Sequence, residues 1–138
     1  MPAKLTSVGM ALAVTGVVGA LATSFLPWAQ SGSSGRNSYG LVAAARRLDV
    51  VSGTAASLAR GWYLVPLLAA CTWVAATLRR PLVVAILSAV VGSATLALFA
   101  AVKASPLPVD IGAYLALAAG VLALLGAARL AWEQRSRP

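Results

Sequence analysis

The sequence predicts an all-α integral membrane protein: a four-helix bundle with a short amphipathic helix in its first external loop. Three observations carry that expectation. Of 138 residues, 60% are hydrophobic and only 10% charged, with a mean hydropathy of +0.87, whereas a soluble domain is about half apolar and about a quarter charged. Uncharged apolar runs cover 5–26, 61–78, 82–102 and 111–128, each about 18 residues or longer and so able, as a helix, to cross the hydrocarbon core. Lipid offers no hydrogen-bond partner to backbone amides, so such runs must be helical. The expected organisation is one membrane domain over 1–138, with spans at about 5–26, 61–78, 82–102 and 111–131 and an external segment at 27–60.

The first run also has features of a secretory leader, since Lys4 precedes it and Ala20-Leu21-Ala22 has the small residues of a cleavage site. The apolar stretch continues past that point through Phe25 and Leu26 to Trp28, longer than a leader needs, which favours a retained helix with Trp28 as an interfacial anchor.

After a flexible stretch at 31–35, "NSYGLVAAARRLD" sets Leu41, Ala45 and Leu48 at i, i+4 and i+7 with Val42 beside them, while Arg46 and Arg47 point elsewhere. That periodicity predicts a short amphipathic helix capped by Asn37 or Ser38. A second short piece, "SGTAASLAR", begins a turn at Ser52 or Thr54 and leads to the next run. There, Pro66 lacks an N–H for the carbonyl of Trp62 and predicts a mild bend; Trp73 is expected between helices. Ahead of the fourth run, Asp110 is placed to cap it or to pair with Lys103 or an external arginine.

Helices in lipid associate through rows of small residues. Gly9/Ala13, Thr15/Gly19 and Gly16/Ala20 form such rows in the first helix, Ser88/Gly92 in the third, and Gly112, Ala116 and Gly120 in the fourth. Packing inside the bundle is the favoured use, and association with a second copy, a homo-oligomer, is the other.

Charge sets orientation. Lys4, Arg79, Arg80, Arg129, Arg135 and Arg137 fall on one side, and Arg36, Arg46, Arg47, Arg60 and Lys103 on the other. The short turn at 79–80 weighs more than arginines remote from helix ends, which places both termini in the cytoplasm and 27–60 outside. Trp28, Trp62 and Tyr63 then mark an outer interfacial belt and Trp132 the inner one.

Several function classes drop out. The net charge of +8 is spread between apolar runs, without the clustered footprint that nucleic-acid binding requires. With no histidine and Cys71 as the sole cysteine, no internal disulfide and no conventional zinc site can form, and no metal or cofactor is expected. The apolar runs contain no ionisable residue, which a proton-coupled transporter usually needs. General acid–base chemistry has little to draw on outside, and no catalytic residue is expected. "SGSSGRNS" has glycines, hydroxyls and a cation but not the GxxxxGK[ST] pattern of a phosphate loop. Arg36, Arg46, Arg47 and Arg60 are left as candidates for contact with lipid phosphates or acidic residues of a partner.

The run "FLPWAQSGSSGRNSYGLVAAARRLDV", followed by "GWYLVPLLAACTW" and Ala-rich helices, resembles small four-span membrane proteins of high-GC actinobacteria, mycobacteria included, whose activity is unassigned. Leu26-Pro27-Trp28, Ser31-Gly32, Arg36 and Trp62-Tyr63 carry the likeness. It implies residence in a bacterial inner membrane and a place as an accessory subunit of a cell-envelope or transport complex, and supplies no active-site residues. The expected function is therefore a non-enzymatic accessory or structural protein, with membrane lipids and other membrane subunits as partners. The alternative is a small transport or lipid-handling protein in which Thr72, Thr77, Ser88, Ser93 and Thr95 line a polar path.

Overall fold

Prolines, a left-handed turn and polar caps divide the chain into its elements. A computed structural model describes residues 2–49 and 53–136. It is predominantly helical: α1 Pro2–Ser24, a hairpin of β1 Pro27–Ser31 and β2 Ser34–Asn37, α2 Ser38–Arg47, α3 Gly53–Gly61, a 3-10 turn Trp62–Leu64, α4 Val65–Thr77, α5 Pro81–Ala104 and α6 Ile111–Arg135. Ser52 and Arg137 lie outside the described residues. Two helices, α5 with 24 residues and α6 with 25, are long and apolar enough to cross a membrane, and Val8–Ser24 of α1 forms a shorter apolar helix.

The expected helix at 61–78 is divided. Pro66 lies in the first turn of α4, where its missing N–H is not needed, and the Trp62 carbonyl accepts from the Val65 N–H in the 3-10 turn. The bend is thus a change of helix type, and the carbonyl keeps a partner. Where α4 ends, Arg79 adopts φ +52°; its N–H bonds to the Ala76 carbonyl at 3.0 Å and that of Arg80 to the Ala75 carbonyl at 2.9 Å. This pairing closes the helix in the manner usually assigned to glycine, and Pro81 starts α5 immediately afterwards.

α1, α4, α5 and α6 pack side by side, with α6 between α1 and α5. Glycines set how close they come. A methyl group on Gly16 would lie 2.8 Å from the Ala119 carbonyl oxygen and collide with the Ala123 backbone; one on Gly126 would strike Ala13; one on Gly92 would lie 2.9 Å from the Gly120 carbonyl oxygen. The small-residue rows are therefore used within the chain, joining α1 to α6 and α5 to α6.

Burial follows the same division by size. Ala13, Ala20, Ala85, Ala116 and Ala123 are buried, whereas Leu67, Ile86, Leu125 and Trp73 are 56–60% exposed. A water-soluble bundle hides its largest apolar side chains; here the interior is small and the exterior is large and apolar. Trp73 lies on that exterior, not between helices.

Candidate functional site

The best-organised region outside the helices is built on the segment that follows α1. Pro27–Ser31 and Ser34–Asn37 pair as an antiparallel hairpin around Gly32-Ser33, with Gly32 at φ +65°. A glycine with positive φ at the first of two loop residues matches the twist of the strands, so the stretch expected to be a flexible hinge is a turn of defined shape. The loop before α6 runs alongside: the Gln30 N–H donates to the Pro108 carbonyl at 3.1 Å and the Asp110 N–H to that of Trp28 at 2.8 Å. Gly112 permits this approach, because a side chain there would run into the Pro27 carbonyl.

Asp110 sits at this junction. One carboxylate oxygen accepts from the Ile111 N–H at 2.7 Å and the other from the Gln30 amide at 3.2 Å. It caps α6, as expected from its position, and its second bond goes to the hairpin and not to a cation. Lys103 instead lies 3.4 Å from the Tyr114 hydroxyl and above that ring.

Beneath the hairpin, Trp28 and Trp62 are buried and meet edge to face at 5.7 Å. The Trp28 indole N–H donates to the Thr23 carbonyl at 2.8 Å. That of Trp62 donates to the Ser38 hydroxyl at 2.9 Å, which in turn donates to the Ser24 carbonyl at 2.7 Å. These two tryptophans were expected in an interfacial belt; each instead finds a buried partner for its one polar atom, which removes the reason to stay at a wet surface. Tyr63 is partly exposed and stacks on Tyr39 at 5.9 Å, and Trp132 is fully on the exterior. The ring of Tyr39 also contacts Phe25 at 5.4 Å.

α2 is locked onto this aromatic layer. Asn37 caps it, accepting from the Gly40 N–H at 2.8 Å; Ser38 and Val42 are its buried residues, with Leu41 and Ala45 half-buried. Leu48, expected on the apolar stripe, is 73% exposed because the helix has already ended at Arg47.

The face of α2 opposite the core is the candidate site. Arg36, Gly40, Ala43, Ala44, Arg47 and Leu48 line an open depression of about 370 Å³. A neighbouring one of about 460 Å³ shares Arg36 and Gly40 and extends to Phe25 and Pro27. Small side chains at 40, 43 and 44 form the floor, and the two arginines flank it. Of the four candidate arginines the structure therefore joins Arg36 and Arg47; Arg46 and Arg60 are exposed but line neither depression. The helical part of the grouping has a sequence signature, because 40, 43, 44 and 47 recur at spacings of three, one and three along one face of α2, and Arg36 joins it from β2.

The hydroxyls expected along a polar path fare differently. Thr72, Thr77 and Thr95 each donate to a carbonyl of their own helix at 2.7 Å, and Ser93 faces outward. The Ser88 hydroxyl is buried with no hydrogen-bond partner among the described residues. Among those residues no three His, Cys, Asp or Glu side chains gather as a metal site requires.

No family model matches the chain, and comparisons with curated proteins and with solved structures return no match.

Proposed function

We propose that this chain is a non-enzymatic, four-span inner-membrane protein that serves as an accessory or structural subunit of a larger membrane or cell-envelope complex. In this reading α1, the 3-10 turn with α4, α5 and α6 cross the bilayer, the termini are cytoplasmic, and 27–60 form an external platform. The observation that carries it is the inverted burial along the packed helices: alanine and glycine inside, and large side chains such as Leu67, Ile86, Leu125 and Trp73 outside, a distribution suited to lipid tails and unsuited to water.

A rigid external platform supports the accessory role. Hydrogen bonds tie the hairpin to the α6 cap and α2 to the end of α1, and such a surface presents the same shape to a partner at every encounter. The transport alternative gains no support from the threonine hydroxyls, since those of Thr72 and Thr95 donate within their own helices. Mild-detergent extraction of the tagged protein at native expression, followed by mass spectrometry, tests the proposal. Reproducible co-purification of other membrane subunits is expected, and recovery solely as a free monomer would sink it.

A further inference from the structure

We infer that the trough on the outward face of α2 is a binding site for the headgroup of an anionic phospholipid, held by Arg36 and Arg47. The inference rests on the membrane residence proposed above and goes beyond it by assigning the site and its ligand class.

Four features converge. Both arginines line one depression of about 370 Å³, within the size range of small-ligand sites. Its floor of Gly40, Ala43 and Ala44 leaves room between them, and Gly40 has little tolerance for a side chain, since a methyl group there would come 3.2 Å from the Asn37 cap oxygen. Among the described residues no carboxylate lines either depression, and paired guanidinium forks suit phosphate oxygens. Finally, the adjoining depression leads to Phe25, which is 61% exposed where α1 ends. A lipid whose phosphate lies between the arginines can thus lay its acyl chains beside Phe25 and the apolar exterior of α1.

The test uses the full chain purified in a neutral detergent and mixed with phosphatidylglycerol or with phosphatidylcholine of the same acyl chains, binding being read by native mass spectrometry. The unmodified protein is expected to retain phosphatidylglycerol in preference to phosphatidylcholine. Each of Arg36→Gln and Arg47→Gln removes a charge-assisted hydrogen bond to the phosphate, so the two together should weaken phosphatidylglycerol retention by about a hundredfold or more. Arg46→Gln with Arg60→Gln removes the same charge outside the trough and should change it little. Ala44→Phe fills the trough while leaving all four arginines, and should weaken retention as the first pair does.

Equal losses in the two arginine pairs would show diffuse attraction and overturn the site, as would undiminished binding to the Ala44→Phe variant. Circular dichroism matching the unmodified protein excludes misfolding as the cause of a loss. A chain that stays soluble and monodisperse without detergent would refute membrane residence itself; one that requires detergent yet shows no preference for phosphatidylglycerol refutes only the site.

Discussion

Replacing Ser38 by alanine should loosen the packing of α2 on α1 more than any other change of similar size. The hydroxyl is fully buried, accepts from the Trp62 indole at 2.9 Å and donates to the Ser24 carbonyl at 2.7 Å. Its removal orphans two buried partners at once. Each costs about 1–3 kcal/mol when left unpaired, which gives about 2–6 kcal/mol in total, and less if water enters. Trp62→Phe removes the donor from the other side, leaves Ser38 bonded to Ser24, and adds the cost of the cavity left by the smaller ring. In the double variant the indole N–H is no longer there to be orphaned, and the losses should fall short of additive by about 1 kcal/mol or more. Unfolding of each variant in dodecyl maltoside, followed by the near-ultraviolet circular dichroism of the aromatic layer, measures these differences. Additive losses, or a Ser38→Ala variant as stable as the parent, would refute the claim that this relay fastens α2 to α1.

Gly16→Leu and Gly126→Leu should each cost about 3 kcal/mol or prevent folding, by forcing α1 from α6; Gly61→Ala, where a methyl group meets nothing within 4 Å, should be neutral or stabilising by about 0.5 kcal/mol, both read from thermal unfolding and size-exclusion profiles. Arg79→Gly relieves a left-handed backbone and should stabilise by up to about 1 kcal/mol in the same assay. In liposomes containing brominated lipid, fluorescence quenching should fall on Trp73→Phe to what Trp132 alone supplies, since Trp73 and Trp132 face outward while Trp28 and Trp62 are buried; unchanged quenching would contradict lipid exposure of α4. Asp110→Ala should cost about 1 kcal/mol through loss of the α6 cap, measured by chemical unfolding.

Apolar run length made the long helices legible in the sequence, because a helix of that composition needs no partner to satisfy its backbone. The small-residue rows likewise foretold close packing, although not which helices would meet. The hairpin was hidden because its strands carry Gln30, Ser31, Ser34 and Arg36 with no apolar alternation; the turn residues Gly32-Ser33 were its only local signal. Burial of Trp28 and Trp62 was equally hidden, since a tryptophan at a helix exit reads the same whether it anchors in headgroups or folds inward. What decides between them is the distant Ser38, and Thr23 just behind. At the candidate site, the apolar stripe of α2 carries Leu41, Val42 and Ala45, and Gly40, Ala43, Ala44 and Arg47 share the opposite face at helical spacing; Arg36 joins them from β2, and helical spacing carries no signal for that.

The seam between α1 and α6 also constrains the order of biosynthesis. Gly16 and Ala13 on α1 are matched by Ala123 and Gly126, and Trp28 by the loop at Asp110, residues that the ribosome delivers some hundred positions later. Through most of translation α1 must therefore wait with its small-residue groove unfilled. Only when α6 arrives do the helix seam and its junction with the hairpin close together, so a helix made late completes the first.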